Sequence, residues 1–241
     1  MNPIDRRQWL AGAGATMATA QAAGAAWAAE GRQARVYDYL FLDFDAPPGS
    51  RPASEYANHL KARKAAVEAA GGQLLGLFTP QIGWHARQAA LLVGWAAGAD
   101  GRDKAVDELA TLPGVRTARR DRLEATARPG AADRLRPEGI YTHRWFVIDT
   151  SSLAEVVSLS TQAWPDFEAQ FDSNIFGLFK ASASAEDQAA GVTRLLLMTR
   201  YGSHGVWEES RDSSPKAMAA FARRQKLTRD TWVASVLLTA I

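Results

Sequence analysis

Two pentapeptides in distant parts of the chain, Leu74-Leu75-Gly76-Leu77-Phe78 and Ile175-Phe176-Gly177-Leu178-Phe179, constrain this fold more than any other feature. Each carries apolar residues around a central glycine. Each also follows a stretch of helical spacing and leads through a loop to another apolar run. Chance gives five similar residues easily, but hardly the same neighbours in the same order.

In the first copy, Val36-Tyr37-Asp38-Tyr39-Leu40-Phe41-Leu42 reads as a strand rich in aromatic and branched residues. Pro47, Pro48, Gly49 and Pro52 break it. A helix follows over 53–70, with Tyr56, Leu60, Ala66 and Val67 on one face, and Gly71-Gly72 end it as glycine does at helix C-termini. Strands over 74–79 and 88–95, a short helix over 104–110 and a polar strand over 116–126 complete the order βαββαβ. Residues 130–139 read as a linker, and the order then repeats. Strands are expected at 141–148, 175–180, 193–201 and 231–238, and helices from 152 to about 171 and over 215–227. Ser152-Leu153-Ala154-Glu155 has capping-box spacing, in which serine and glutamate side chains satisfy orphan amides.

An antiparallel sheet with one wet face alternates apolar and polar residues. Ala89-Ala90-Leu91-Leu92-Val93 and Leu195-Leu196-Leu197-Met198 do not alternate, so both their faces must be covered. Helices cover one, and the sister sheet is the simplest cover for the other. The fold class expected is therefore α+β: tandem ferredoxin-like βαββαβ repeats forming a dimeric-α/β-barrel-type architecture. Repeat 1 spans 29–129 and repeat 2 spans 140–241. The barrel interior is the default ligand site.

Residues 1–28 read as an address. Arg6-Arg7 stand before Trp9-Leu10, an Ala/Gly-rich stretch follows, and Ala26-Trp27-Ala28 has a small-x-small cleavage pattern. These are the parts of an export signal of twin-arginine type. A stable membrane anchor needs about 20 strongly apolar residues, and this stretch has Thr, Gln and several Gly instead. The chain is thus expected in the periplasm or secreted, with the twin-arginine translocation machinery as a partner.

Composition narrows the chemistry. The 241 residues are 47% hydrophobic and 22% charged, with net charge +2, so a globular chain is expected and no basic stripe suits nucleic acid. Without cysteine there is no disulfide, thiol nucleophile or cysteine-ligated metal. No histidine pair has metal-ligand spacing, and no phosphate loop or nucleophile elbow occurs. No metal and no cofactor are expected, and no catalytic set is assigned. His143 shares a strand face with Trp145, and Arg144 shares the other with Phe146 and Ile148; the pattern leaves open which looks into the barrel. Ligand-binding candidates are His143, Arg144, Tyr201, Trp84, His85 and Trp207. Arg116, Arg119, Arg120 and Arg122 read either as an anion-binding wall or as a charged edge strand that resists aggregation.

The stretch Arg200-Tyr201-Gly202-Ser203, then Trp207-Glu208-Glu209-Ser210-Arg211, then 221–228 resembles the NIPSNAP family within the dimeric α/β-barrel superfamily. The motif residues are Tyr201, Ser203, Trp207, Glu208, Ser210 and Arg211; repeat 1 lacks them and matches by order alone. The resemblance implies the barrel fold and no single reaction. The function expected is binding of a small apolar or carboxylate ligand in the barrel. The alternatives are a small monooxygenase or haem-handling enzyme of the same superfamily, with haem as its cofactor, and a structural protein with a filled barrel. Homo-oligomerisation stays open.

Overall fold

A computed structural model describes residues 36–47, 49–130, 133–212, 214–239 and 241. The export-signal reading and part of the linker lie outside these residues. Repeat 1 comprises β1 (Val36–Phe44), α1 (Pro52–Ala69), β2 (Gly72–Ile82), β3 (Gln88–Trp95), α2 (Arg102–Ala110) and β4 (Val115–Ala125). Repeat 2 comprises β5 (Ile140–Asp149), α3 (Leu153–Gln170), β6 (Ser173–Ala181), α4 (Ala185–Ala190), β7 (Val192–Tyr201), α5 (His204–Glu209), α6 (Pro215–Lys226) and β8 (Thr228–Thr239).

All strand pairs are antiparallel, and the sheet closes as β1-β3-β2-β8-β5-β7-β6-β4. Within each half, the first and third strands are central neighbours, as the βαββαβ unit requires. Strand β2 joins β8, and β4 joins β6, so every strand has two partners. That closure reaches β4 only at Leu123–Ala125, so 115–122 pairs with β1 alone and stays an exposed edge, and the charged-edge reading holds for the arginines along it. They do not form a wall for a foreign anion, since each has an internal acid. Arg116 reaches Asp43 at 2.8 Å, Arg119 lies 3.6 Å from Asp121, Arg120 reaches Asp38 at 2.7 Å, and Arg122 pairs with Asp103.

The helices cover the outer face, and two apolar clusters form beneath them. One gathers Tyr56, Leu60, Leu91 and Trp95 in repeat 1, the other Phe146, Trp164, Phe167 and Leu195 in repeat 2. Inside the barrel, Tyr39, Phe78, Leu92, His143, Trp145 and Met198 are buried, with the aromatic rings in mutual contact.

Two local expectations change. Ser152 makes no side-chain cap, because a 3₁₀ turn over Thr150–Ser152 leads the chain into α3 instead. The capping box forms at α4, where Ser184 and Asp187 satisfy each other's backbone amides. Helices α4 and α5 are too short to show a periodic apolar face in sequence. Among the described residues, no helix is long and apolar enough to cross a membrane.

Candidate functional site

The glycine-centred pentapeptides fix the correspondence between the halves. Gly76 faces Leu92, which faces Tyr39; Gly177 faces Met198, which faces His143. Tyr39 therefore corresponds to His143, Asp38 to Thr142, and Leu40 to Arg144. This alignment exposes where the two outer faces differ.

In repeat 1, Asp38 lies on the outer face of β1, fully buried. Arg102 from α2 holds it with two nitrogens at 2.7 and 3.0 Å, and Arg120 from β4 with two at 2.7 and 3.2 Å. Two arginines under the helices of repeat 1 thus clamp one carboxylate. Such paired contacts are the strong form of a charge-assisted hydrogen bond.

The corresponding region of repeat 2 is a cavity of about 560 Å³. Its floor is the outer face of β5, β6, β7 and β8, and α3 and α6 flank it. Helix α6 is held against α3 by Arg223–Glu155 at 2.5 Å and Lys216–Asp166 at 3.1 Å. Among the described residues three arginines line the cavity, Arg144 from β5, Arg224 from α6 and Arg211 from the turn after α5, and no acid does. Arg211 pairs with Glu208 at the exposed rim. Arg224 donates to Ser160 Oγ at 3.2 Å and lies over the Phe146 and Phe221 rings. Arg144 has neither a carboxylate nor a hydrogen-bond partner among the described residues. Burial and the charge of Arg144 pull Arg224 down to about 10, which leaves it a cation at neutral pH, and burial lowers Arg144 as well.

Trp164, Phe167, Trp207 and Phe221 supply apolar walls around these charges. Tyr201 brings a hydroxyl that burial holds above its usual pKa and that bonds with Ser210 and Thr142. The motif residues build this wall: Tyr201, Trp207, Ser210 and Arg211 line it, Ser203 caps α5 through the Val206 amide at 3.2 Å, and Glu208 neutralises Arg211.

The candidates therefore separate. Arg144, Tyr201 and Trp207 meet in the cavity, which lies outside the barrel, between sheet and helices. His143 points the other way, into the barrel, where its Nδ1 is 2.9 Å from Tyr39 Oη. Trp84 packs against His143 and Phe41, and His85 sits in an exposed turn, its backbone amide donating to Gln88 Oε1. Sequence reasoning did not single out Arg224 as a ligand group. It stands between Arg223 and Lys226 near the end of α6, where basic residues ordinarily complement the helix dipole. Its spacing of three from Phe221 was the one available sign that it faces inward.

No protein-family model matches the chain, and no curated protein sequence does. Solved structures do. An anthrone oxidase-like protein shares 14% identity at TM-score 0.56, over 87% of this chain and 93% of that one. A candidate monooxygenase from Lactobacillus acidophilus shares 9% at 0.55, over 86% and 94%. A haem-binding protein from Thermus thermophilus shares 11% at 0.51, over 86% and 92%. At such identities the likeness is one of fold, and that fold is the dimeric α/β barrel.

Haem is the cofactor that one of these neighbours suggests. Among the described residues no histidine lines the cavity; His143 faces the opposite side of the sheet, and His204 Nε2 is 2.9 Å from Ser235 Oγ. Tyr201 keeps its proton and is engaged with Ser210 and Thr142. The donor set does not fit a histidine-ligated haem.

Proposed function

We propose that this chain binds a flat organic carboxylate in the cavity of repeat 2, with Arg144 and Arg224 on the carboxylate and the aromatic walls on its body. One observation carries the reading: in repeat 1 Arg102 and Arg120 clamp Asp38, whereas repeat 2 has Thr142 in that place, and Arg144, whose counterpart is Leu40, meets no anion among the described residues. Buried charge without a counterion is costly, and a ligand carboxylate removes that cost. Thr142, Ser210 and Tyr201 offer hydroxyls to orient the ligand. The test is titration with 2-naphthoate, followed by tryptophan fluorescence, against neutral 2-naphthamide, with haemin titrated in parallel by visible absorption. Saturable naphthoate binding that is lost in Arg144→Leu and Arg224→Leu is expected. Equal binding of the amide, or binding that survives both substitutions, would overturn the reading; a sharp haem band would favour the haem alternative.

A second reading is cofactor-free oxygenation of a bound phenolic or enolic anion. The oxidase- and monooxygenase-type neighbours support it, as do the two arginines, which would stabilise such an anion. Oxygen uptake on adding an anthrone tests it. Kinship with NIPSNAP proteins and export remain proposals, resting respectively on the motif residues between 199 and 228 and on Arg6-Arg7 with Ala26-Trp27-Ala28. Replacing both leader arginines by lysine should leave unprocessed precursor in the cytoplasm.

A further inference from the structure

The barrel axis holds a polar pair that the cavity does not use. Tyr39 and His143 are corresponding residues of the two repeats, and they touch. Corresponding points that touch lie at the pseudo-twofold axis. Two identical chains closing such a barrel would place like residues there, tyrosine against tyrosine or histidine against histidine. The tandem chain places a phenol against an imidazole, at 2.9 Å and with both residues at most 1% exposed.

Burial raises the Tyr39 hydroxyl well above its usual pKa and lowers His143 to about 3. At neutral pH the phenol is protonated and the imidazole uncharged, so the hydroxyl donates to Nδ1. Nε2 then carries the ring hydrogen, and it has no hydrogen-bond partner among the described residues. An unsatisfied buried polar atom costs about 1–3 kcal/mol, which two apolar residues at the axis would avoid. The pair therefore lowers stability, and the aromatic packing around it offers a reason for its presence. The Trp145 ring lies 5.7 Å from Tyr39, and the Trp232 ring lies 6.1 Å from Trp145 and within 13° of parallel. Trp232 is 43% exposed. A continuous run of ring contacts thus leads from the axis to solvent.

We propose that Tyr39 is a redox-active tyrosine. It loses one electron through Trp145 and Trp232 to a high-potential one-electron oxidant at the surface, such as a metal–oxo species or an inorganic radical. The phenolic O–H bond breaks, and its proton forms an N–H bond at His143 Nδ1. The products are a neutral tyrosyl radical, an imidazolium and the oxidant reduced by one electron. Re-reduction of Tyr39 by one electron returns the proton along the same hydrogen bond. The pre-formed bond makes this feasible in an apolar interior, because no water is needed to take the proton.

The chain's tyrosines suit a test. Tyr37, Tyr39, Tyr56, Tyr141 and Tyr201 are all buried, so an oxidant confined to solvent meets a tryptophan before any tyrosine. Photogenerated tris(bipyridine)ruthenium(III) is applied to the full chain at neutral pH, with electron paramagnetic resonance and transient absorption as readouts. A neutral tyrosyl radical is expected; it forms more slowly in deuterium oxide and is absent in Tyr39→Phe, which retains only a tryptophan radical. Trp232→Phe, at an exposed position that leaves the core intact, should lower the yield several-fold. A wild-type signal from tryptophan alone, an undiminished tyrosyl signal in Tyr39→Phe, or an unchanged yield in Trp232→Phe would each overturn the proposal. The last result decides the route even if Tyr39→Phe fails to fold.

Discussion

His143 shows how one buried residue sets a condition on the whole fold. Its imidazole titrates near 3 in the native barrel and near 6.5 in the unfolded chain, because burial disfavours the charged ring. Between those values the unfolded chain binds a proton that the native chain does not, so stability falls as pH drops. The slope from this residue is roughly 1.4 kcal/mol per pH unit, reaching roughly 5 kcal/mol near pH 3. Urea midpoints measured from pH 7 to 4 should therefore decline more steeply in the wild type than in His143→Phe. Parallel declines would show that the ring gains a proton in the native state. Arg144 is the complementary case. Its counterpart is Leu40, so Arg144→Leu should raise the stability of the ligand-free chain by about 1 kcal/mol, since it replaces an uncompensated buried charge with an apolar side chain. The same change should abolish naphthoate binding, a divergence between stability and function that thermal unfolding and the binding titration together reveal.

At the scale of elements, the same architecture is held together differently in its two halves. Repeat 1 fastens α2 to its sheet through Asp38, which Arg102 and Arg120 grip from opposite sides. Asp38→Asn removes the charge and leaves both guanidinium groups facing a neutral amide. A loss of about 3–5 kcal/mol is expected in chemical denaturation, the usual result of breaking one side of a buried ion pair. A change below about 1 kcal/mol would mean that solvent already screens the clamp. Among its described residues repeat 2 has no such clamp, and α6 meets α3 through Phe221 on Phe167 and through exposed pairs at the rim, Arg223–Glu155 and Lys216–Asp166. The space that Asp38 and its arginines fill in one half is the space open in the other. The central glycines serve both halves alike. Each marks a register shift in the second strand, and a Cβ there would come 2.5 Å from Leu238 at Gly76 and 2.6 Å from Phe179 at Gly177.

Across the whole molecule, stability belongs to the closed barrel. The inward faces of both sheets are apolar and buried, and β2, β4, β6 and β8 each pair across the junction between halves. A half expressed alone would expose that face together with two unpaired strand edges, a combination that drives association. Separate fragments 29–129 and 136–241 should aggregate or dimerise in size-exclusion chromatography, and mixing them should restore a complex of the full chain's size. Two monomeric, cooperatively folded fragments would show that each half completes its own core. The sequence by itself determined the order of elements and the need for cover on both sheet faces, because alternation, glycine stops and continuous apolar runs are local signals. Strand 88–95 and the helix starting at Pro215 were legible for that reason. Which face of β5 turns inward was not, since His143, Trp145, Arg144 and Phe146 are all compatible with burial. Only the closure of β2 on β8 and of β4 on β6 decided it, through hydrogen bonds between residues far apart in the chain. That closure sent His143 to Tyr39 at the axis and left Arg144 beneath α6 beside Arg224, a juxtaposition that no local pattern of side chains encodes.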